Sequence, residues 1–86
     1  MTFTVVWKPA AERTLAEIWL ASASRGEVAS AANEIDTVLR GQPLSVGKPA
    51  LLDARMLVVL PLAVVYDVRP DDRIVEVLLV RRVPTR

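Results

Sequence analysis

The chain has 86 residues, room for one domain with a thin stability margin, since a chain this short buries only about 60% of the surface its unfolded form exposes. Cysteine and histidine are both absent, which excludes disulfides, thiolate metal sites, and the commonest metal ligand and general base. A formal net charge of +1, from 11 basic and 10 acidic residues, argues against a protein that holds nucleic acid by bulk electrostatics.

The opening residues Met1-Thr2-Phe3-Thr4 have neither the basic nor the apolar stretch of a secretion signal, so a cytoplasmic protein is expected. Thr2 to Trp7 reads as a strand. Phe3, Val5 and Trp7 alternate with Thr2, Thr4 and Val6, and nearly every residue is β-branched or aromatic. Lys8-Pro9 ends it, because proline suits the first turn of a helix and not a central strand. Ala10 to Ala23 follows as a helix, with Ala11, Leu15, Ile18, Trp19 and Ser22 on one face and Glu12, Arg13 and Glu17 turned away. Ser24 with Glu27 three residues later matches a capping box and predicts a second helix. Its apolar face is Val28, Ala31, Ala32, Ile35, Val38 and Leu39, and Gly41 and Pro43 stand where it should stop. So short a connection between two helices predicts an antiparallel hairpin.

Gln42 to Ala50 reads as a loop. Three strands are then predicted, over Leu51–Leu60, Leu62–Arg69 and Arg73–Arg82, with turns at Pro61 and at Pro70-Asp71-Asp72. Links this short require antiparallel neighbours. The longest apolar run, Met56 to Val65, is interrupted by Pro61 and falls short of the ~20 residues that span a bilayer. The order β-α-α-β-β-β predicts one α+β domain over residues 1–86, a helix hairpin packed on a mainly antiparallel sheet. With 52% hydrophobic residues and a mean hydropathy of +0.34, a domain this small is expected to leave apolar surface for a partner.

Several segments carry a resemblance. Val5-Val6-Trp7-Lys8-Pro9-Ala10-Ala11-Glu12 is a strand running into a proline and an acidic helix, whose core is Leu15, Ile18 and Trp19. Val38-Leu39-Arg40-Gly41-Gln42-Pro43 closes the second helix before a proline loop, and Asp53-Ala54-Arg55 leads into a hairpin. Val64-Val65-Tyr66-Asp67-Val68 is a strand of alternating valine and tyrosine, followed by a turn and an apolar strand, Val75 to Arg82, that runs into basic residues. In this order the pieces resemble the RelE/ParE toxins over nearly the whole chain. The resemblance implies the toxin of a type II toxin–antitoxin pair, neutralised in a hetero-oligomer by an antitoxin that lays an extended or helical segment over it, and needing no cofactor. It implies one of two targets, mRNA on the ribosome or DNA gyrase.

Ribonuclease members of such a family require basic residues on central strands, where cations meet the negative charge that grows on the phosphorane. Here the strand arginine expected three positions before the tyrosine is Ala63. Upstream, Ala54, Met56 and Leu57 flank the single cation Arg55, and no tyrosine or histidine follows Arg82. This favours a ParE-like gyrase inhibitor. A ribosome-dependent mRNA endonuclease using Arg55, Arg81 and Arg82, and a degenerate member surviving as a binding module, are the alternatives.

Arg55, Arg81 and Arg82 are the candidates for target or antitoxin contact, with Arg86 in the same C-terminal cluster; Arg suits planar, bidentate contacts to phosphate or carboxylate. Arg81 and Arg82 face opposite sides of a regular strand. Arg55 is read in preference as paired with Asp53 or Glu76. Tyr66 matches the structural tyrosine of the family. Trp7 and Trp19 are read as core beneath the hairpin, Asp71-Asp72 as turn residues, and Leu57 to Leu60 as sheet core in preference to an antitoxin groove. Gly47-Lys48 lacks the flanking residues of a phosphate loop.

Overall fold

The computed structural model describes residues 2–84. Its elements run β1 (Thr4–Trp7), α1 (Pro9–Ala21), α2 (Arg25–Gly41), β2 (Lys48–Pro49), β3 (Arg55–Val59), β4 (Leu62–Arg69) and β5 (Ile74–Arg82). The strands form one five-stranded sheet in the order β1-β5-β4-β3-β2. β2, β3, β4 and β5 pair antiparallel in sequence, while β1 lies parallel to β5, so the sheet is mixed. The α+β order expected from the sequence is present, with one addition: the loop after α2 contributes the two-residue edge strand β2. The strand expected over Leu51–Leu60 starts only at Arg55, because Leu51 to Ala54 form a turn that returns the chain from β2.

Helix α1 starts as its sequence requires. Pro9 occupies the first turn, and Lys8, restricted by the following proline, stays extended at ψ 148°. The C-terminal end has no basic residue of its own; Arg25, the first residue of α2, reaches back instead. Its Nε and Nη2 donate to the carbonyls of Trp19 and Leu20 at 3.2 and 3.0 Å, two of the acceptors that every helix end leaves open. Ser24 is the N-cap of α2, but the expected capping box does not form, since no side chain caps there. Ser22, buried in the connection, accepts a hydrogen bond from the Ser24 amide at 2.9 Å and fixes the bend.

One face of the sheet is covered by the helices. Val28, Ala31, Ile35 and Leu39 of α2 and Ala11 of α1 pack with Leu62, Val64, Tyr66, Val75, Val77 and Val80 in one buried cluster. A bulge makes that set possible. Val65 pairs with Leu79 but Tyr66 with Val77, so Leu78 has no partner on β4. Val80 is three positions beyond Val77, and a regular strand would place the two on opposite faces. The extra residue brings both into the core.

Two packing expectations are corrected. Trp7 is half-buried against the core, but Trp19 is 40% exposed, under the Arg25 guanidinium whose carbon lies 4.8 Å from the ring centroid. The run Leu57 to Leu60 is not buried on both sides. Leu57 and Val59 pack on the core while Val58 and Leu60 are exposed, because the helices cover one face only.

Candidate partner-binding site

Among the described residues, the helices and the sheet leave two unpartnered apolar surfaces. The first is the groove between α1 and α2, about 410 Å³, lined by Leu15, Ala16, Trp19, Val28, Ala29 and Ala32. Alanines at positions 16, 29 and 32 keep the facing surfaces of the two helices low, and Trp19 walls one end. Glu12 and Asn33 supply the polar rim, and toward Trp7 the cleft continues past Asp36. An amphipathic helix buries its apolar face against such a surface, apolar along its floor with polar groups at its margins.

The second surface is the sheet face turned away from the helices. Pairing places Lys48, Met56, Val65 and Leu79 in one row across it and Val58, Ala63 and Arg81 in the next. Leu78 and Leu79 extend it toward the turn after β2, where Leu51 and Leu52 stand 75% and 94% exposed. Leu52 has φ 56°, a left-handed backbone that a leucine adopts only under constraint. Opposite Asp67 in the ladder, Glu76 is held by Arg69 at 2.7 Å and by Lys8 at 3.7 Å.

The three arginines do not converge. Arg55 pairs with Tyr66 in the ladder and so lies on the helix side. Its guanidinium donates to the Val46 carbonyl at 3.0 and 3.2 Å and to the Gly47 carbonyl at 3.3 Å. The expected pairing with Asp53 or Glu76 is absent; Glu76 faces the other side of the sheet and already has two cations. Arg82 sits opposite Leu62 on the helix side and Arg81 opposite Ala63 on the open side, both exposed, as the alternation predicts. Arg86 lies outside the described residues.

Tyr66 is wholly buried, and the single proton of its hydroxyl is shared between the carbonyls of Pro43 and Val46, at 2.9 and 3.0 Å. Together with Arg55 it latches the loop after α2 to the sheet. Gly47 completes the latch at φ 71°, where an added Cβ would lie 2.6 Å from the Met56 carbonyl oxygen and 2.8 Å from the Tyr66 hydroxyl. Gly47→Ala is therefore expected to lower unfolding stability by about 1–3 kcal/mol, measured by chemical denaturation. Both obstacles are rigid, one being backbone and the other a buried ring.

The exposed leucines at positions 51, 52 and 79 were not singled out from sequence. For Leu79 the missing signal is the bulge; Leu51 and Leu52 read as strand because their composition is that of a strand.

No protein-family model matches the sequence, and no curated protein is similar to it in sequence. Solved structures are similar in fold. A chain of the toxin–antitoxin complex RelBE2 from Mycobacterium tuberculosis superposes with a TM-score of 0.79 at 22% identity, over 95% of this chain and 92% of that one. A chain of the chromosomal ParDE system from P. aeruginosa gives 0.74 at 16% identity, over 95% and 97%. The isolated RelE toxin of E. coli gives 0.60 at 19% identity, over 98% and 87%. The fold of this chain is that of the RelE/ParE toxin structures, with both helices and the mixed sheet in common.

Proposed function

We propose that this chain is a RelE/ParE-family toxin of a type II toxin–antitoxin pair, held in a cytoplasmic hetero-oligomer by its cognate antitoxin. The observation that carries this reading is the uncovered apolar groove between α1 and α2, on a domain whose shape matches structures of toxin–antitoxin systems along nearly its whole length. A monomer this small gains nothing from an open trough of leucine, alanine and tryptophan. An apolar helical segment of an antitoxin laid in that trough covers it, with Trp19 as an anchor.

The free toxin acts on DNA gyrase in this proposal, with mRNA on the ribosome as the alternative target. Phosphodiester cleavage needs several cations and a proton acceptor gathered on one surface. On the open sheet face the central positions are Met56, Ala63, Val65 and Leu79, with Arg81 at their end. Arg55 is engaged with loop carbonyls on the other side, and Arg82 also points to the helix side. Arg81 and Arg82, exposed at the end of β5, are the side chains proposed for acidic groups of target or antitoxin.

Expression of the chain without its partner tests the target. Trapped gyrase–DNA cleavage complexes and a DNA-damage response are the expected result. Rapid loss of translation with cut ribosome-bound mRNA would assign the endonuclease instead. Normal growth at a confirmed level of folded protein would leave a binding module without toxicity.

A further inference from the structure

We propose that two copies of this chain pack open sheet face against open sheet face, about a two-fold axis that crosses the strands obliquely between Val65 and Leu79. The proposal goes beyond the toxin reading and does not depend on it, since it concerns the surface opposite the interhelical groove.

The argument begins with what the ladder places on this face. Val65 and Leu79 are paired at its centre, flanked by Met56 in the same row. Two residues along β5 in one direction stands Arg81, opposite Ala63; two residues along β4 in the other direction stands Asp67, opposite Glu76. Each charge is thus about 7 Å from the centre, at opposite ends of an apolar strip. Leu79 is 63% exposed and stands above half-buried Met56 and Val65, with Ala63 covered beside them, so the strip presents Leu79 as its crest.

Of the charges at the two ends, one is already neutralised and two are not. Glu76 is held by Arg69 and Lys8. Neither Asp67 nor Arg81 makes an ion pair among the described residues. A basic end and an acidic end equidistant from an apolar centre are self-complementary under a two-fold axis lying in the plane of the face. Rotation about it turns the face over and reverses the strand direction. Because the axis passes midway between β4 and β5 at a tilt of about 20° from the perpendicular to the strands, Arg81 on β5 of each copy meets Asp67 on β4 of the other while Leu79 and Val65 pack at the axis. An isologous interface requires this reciprocity, and two sheets meeting face to face bury both apolar strips in one layer about 10 Å thick. The lip formed by Leu51 and Leu52 borders the acidic end, beside Asp67, and extends the apolar contact outward. A nucleic acid fits this face poorly, because its centre is apolar and one of its two ends is acidic.

Sedimentation equilibrium of the purified full chain across a concentration series tests the proposal. The chain is expected to dimerise. Arg81→Asp and Asp67→Arg are each expected to raise the dimer dissociation constant about tenfold or more, because each places like charges together twice in its homodimer. Mixed in equal amounts, the two variants are expected to recover the association, since the heterodimer contains two opposite-charge contacts. That recovery also excludes misfolding as the cause of the single-variant losses. A wild-type chain that stays monomeric, a dimer indifferent to both substitutions, or a mixture that fails to recover would overturn the proposal. A wild-type monomer whose Leu79→Lys variant loses antitoxin binding would assign the face to the antitoxin instead.

Discussion

Tyr66→Ala is expected to unfold most of the protein at physiological temperature. Removing a wholly buried aromatic ring costs about 3–5 kcal/mol, a large share of the margin of a domain this size. The loss has two parts, which a second substitution separates. Tyr66→Phe keeps the ring and removes only the hydroxyl. The Val46 carbonyl retains its bonds from Arg55, but the Pro43 carbonyl loses the hydroxyl that now donates to it. A cost of about 1–2 kcal/mol is expected for that single acceptor, with the denaturant dependence unchanged because the same surface is exposed on unfolding. Equal stability of wild type and Tyr66→Phe in urea titrations would show that the hydroxyl latch contributes nothing.

Trp19→Ala is expected to weaken binding of the cognate antitoxin by about 2 kcal/mol, roughly thirtyfold, measured by titration calorimetry. The indole walls the interhelical groove and is 40% exposed, so the fold loses its stacking with Arg25 and the burial of its covered part, about 1–3 kcal/mol, and the affinity is measured on variant protein shown to be folded. Ala29→Arg probes the same site from the opposite helix. It fills the trough with a charged side chain, leaves the core untouched, and is expected to reduce neutralisation of the toxin in cells at least as much. Full affinity in both variants would remove the groove as the antitoxin site and leave the open sheet face in its place.

The two predictions concern residues with different visibility in the sequence. Tyr66 stands in an alternating strand, and the side it shares with Leu62, Val64 and Val68 was legible there. Its hydrogen-bond partners were not: Pro43 and Val46 are more than 19 residues away, and their carbonyls reach the ring only because the loop after α2 folds over β4. Trp19 was read as core because it falls on the apolar arc of α1. An arc of that width covers more than the contact with the sheet. Ala11, Leu15 and Ile18 take the contact, and Trp19, at its margin, is left to the groove.

Arg55 shows the same limit from the charged side. A cation two residues from Asp53, with Glu76 expected on a neighbouring strand, invites an ion pair, but which face of the sheet it occupies is set by register. Its position opposite Tyr66 puts it beside loop carbonyls and away from Glu76.

The element order, the antiparallel links around β4, the helix hairpin and the turn positions follow from the sequence by itself, because periodicity, proline and glycine act over a few neighbours. So does the prospect of apolar surface left over, which is a matter of composition and length. Only the tertiary structure decided where that surface lies. The bulge at Leu78 shifts the facing of β5 after Val77, placing Val80 in the core and Leu79 outside. The parallel pairing of β1 with β5 seats α1 beside α2 with a trough between them. Both depend on contacts between residues far apart in the chain, and such contacts are chosen by the packing of the whole domain.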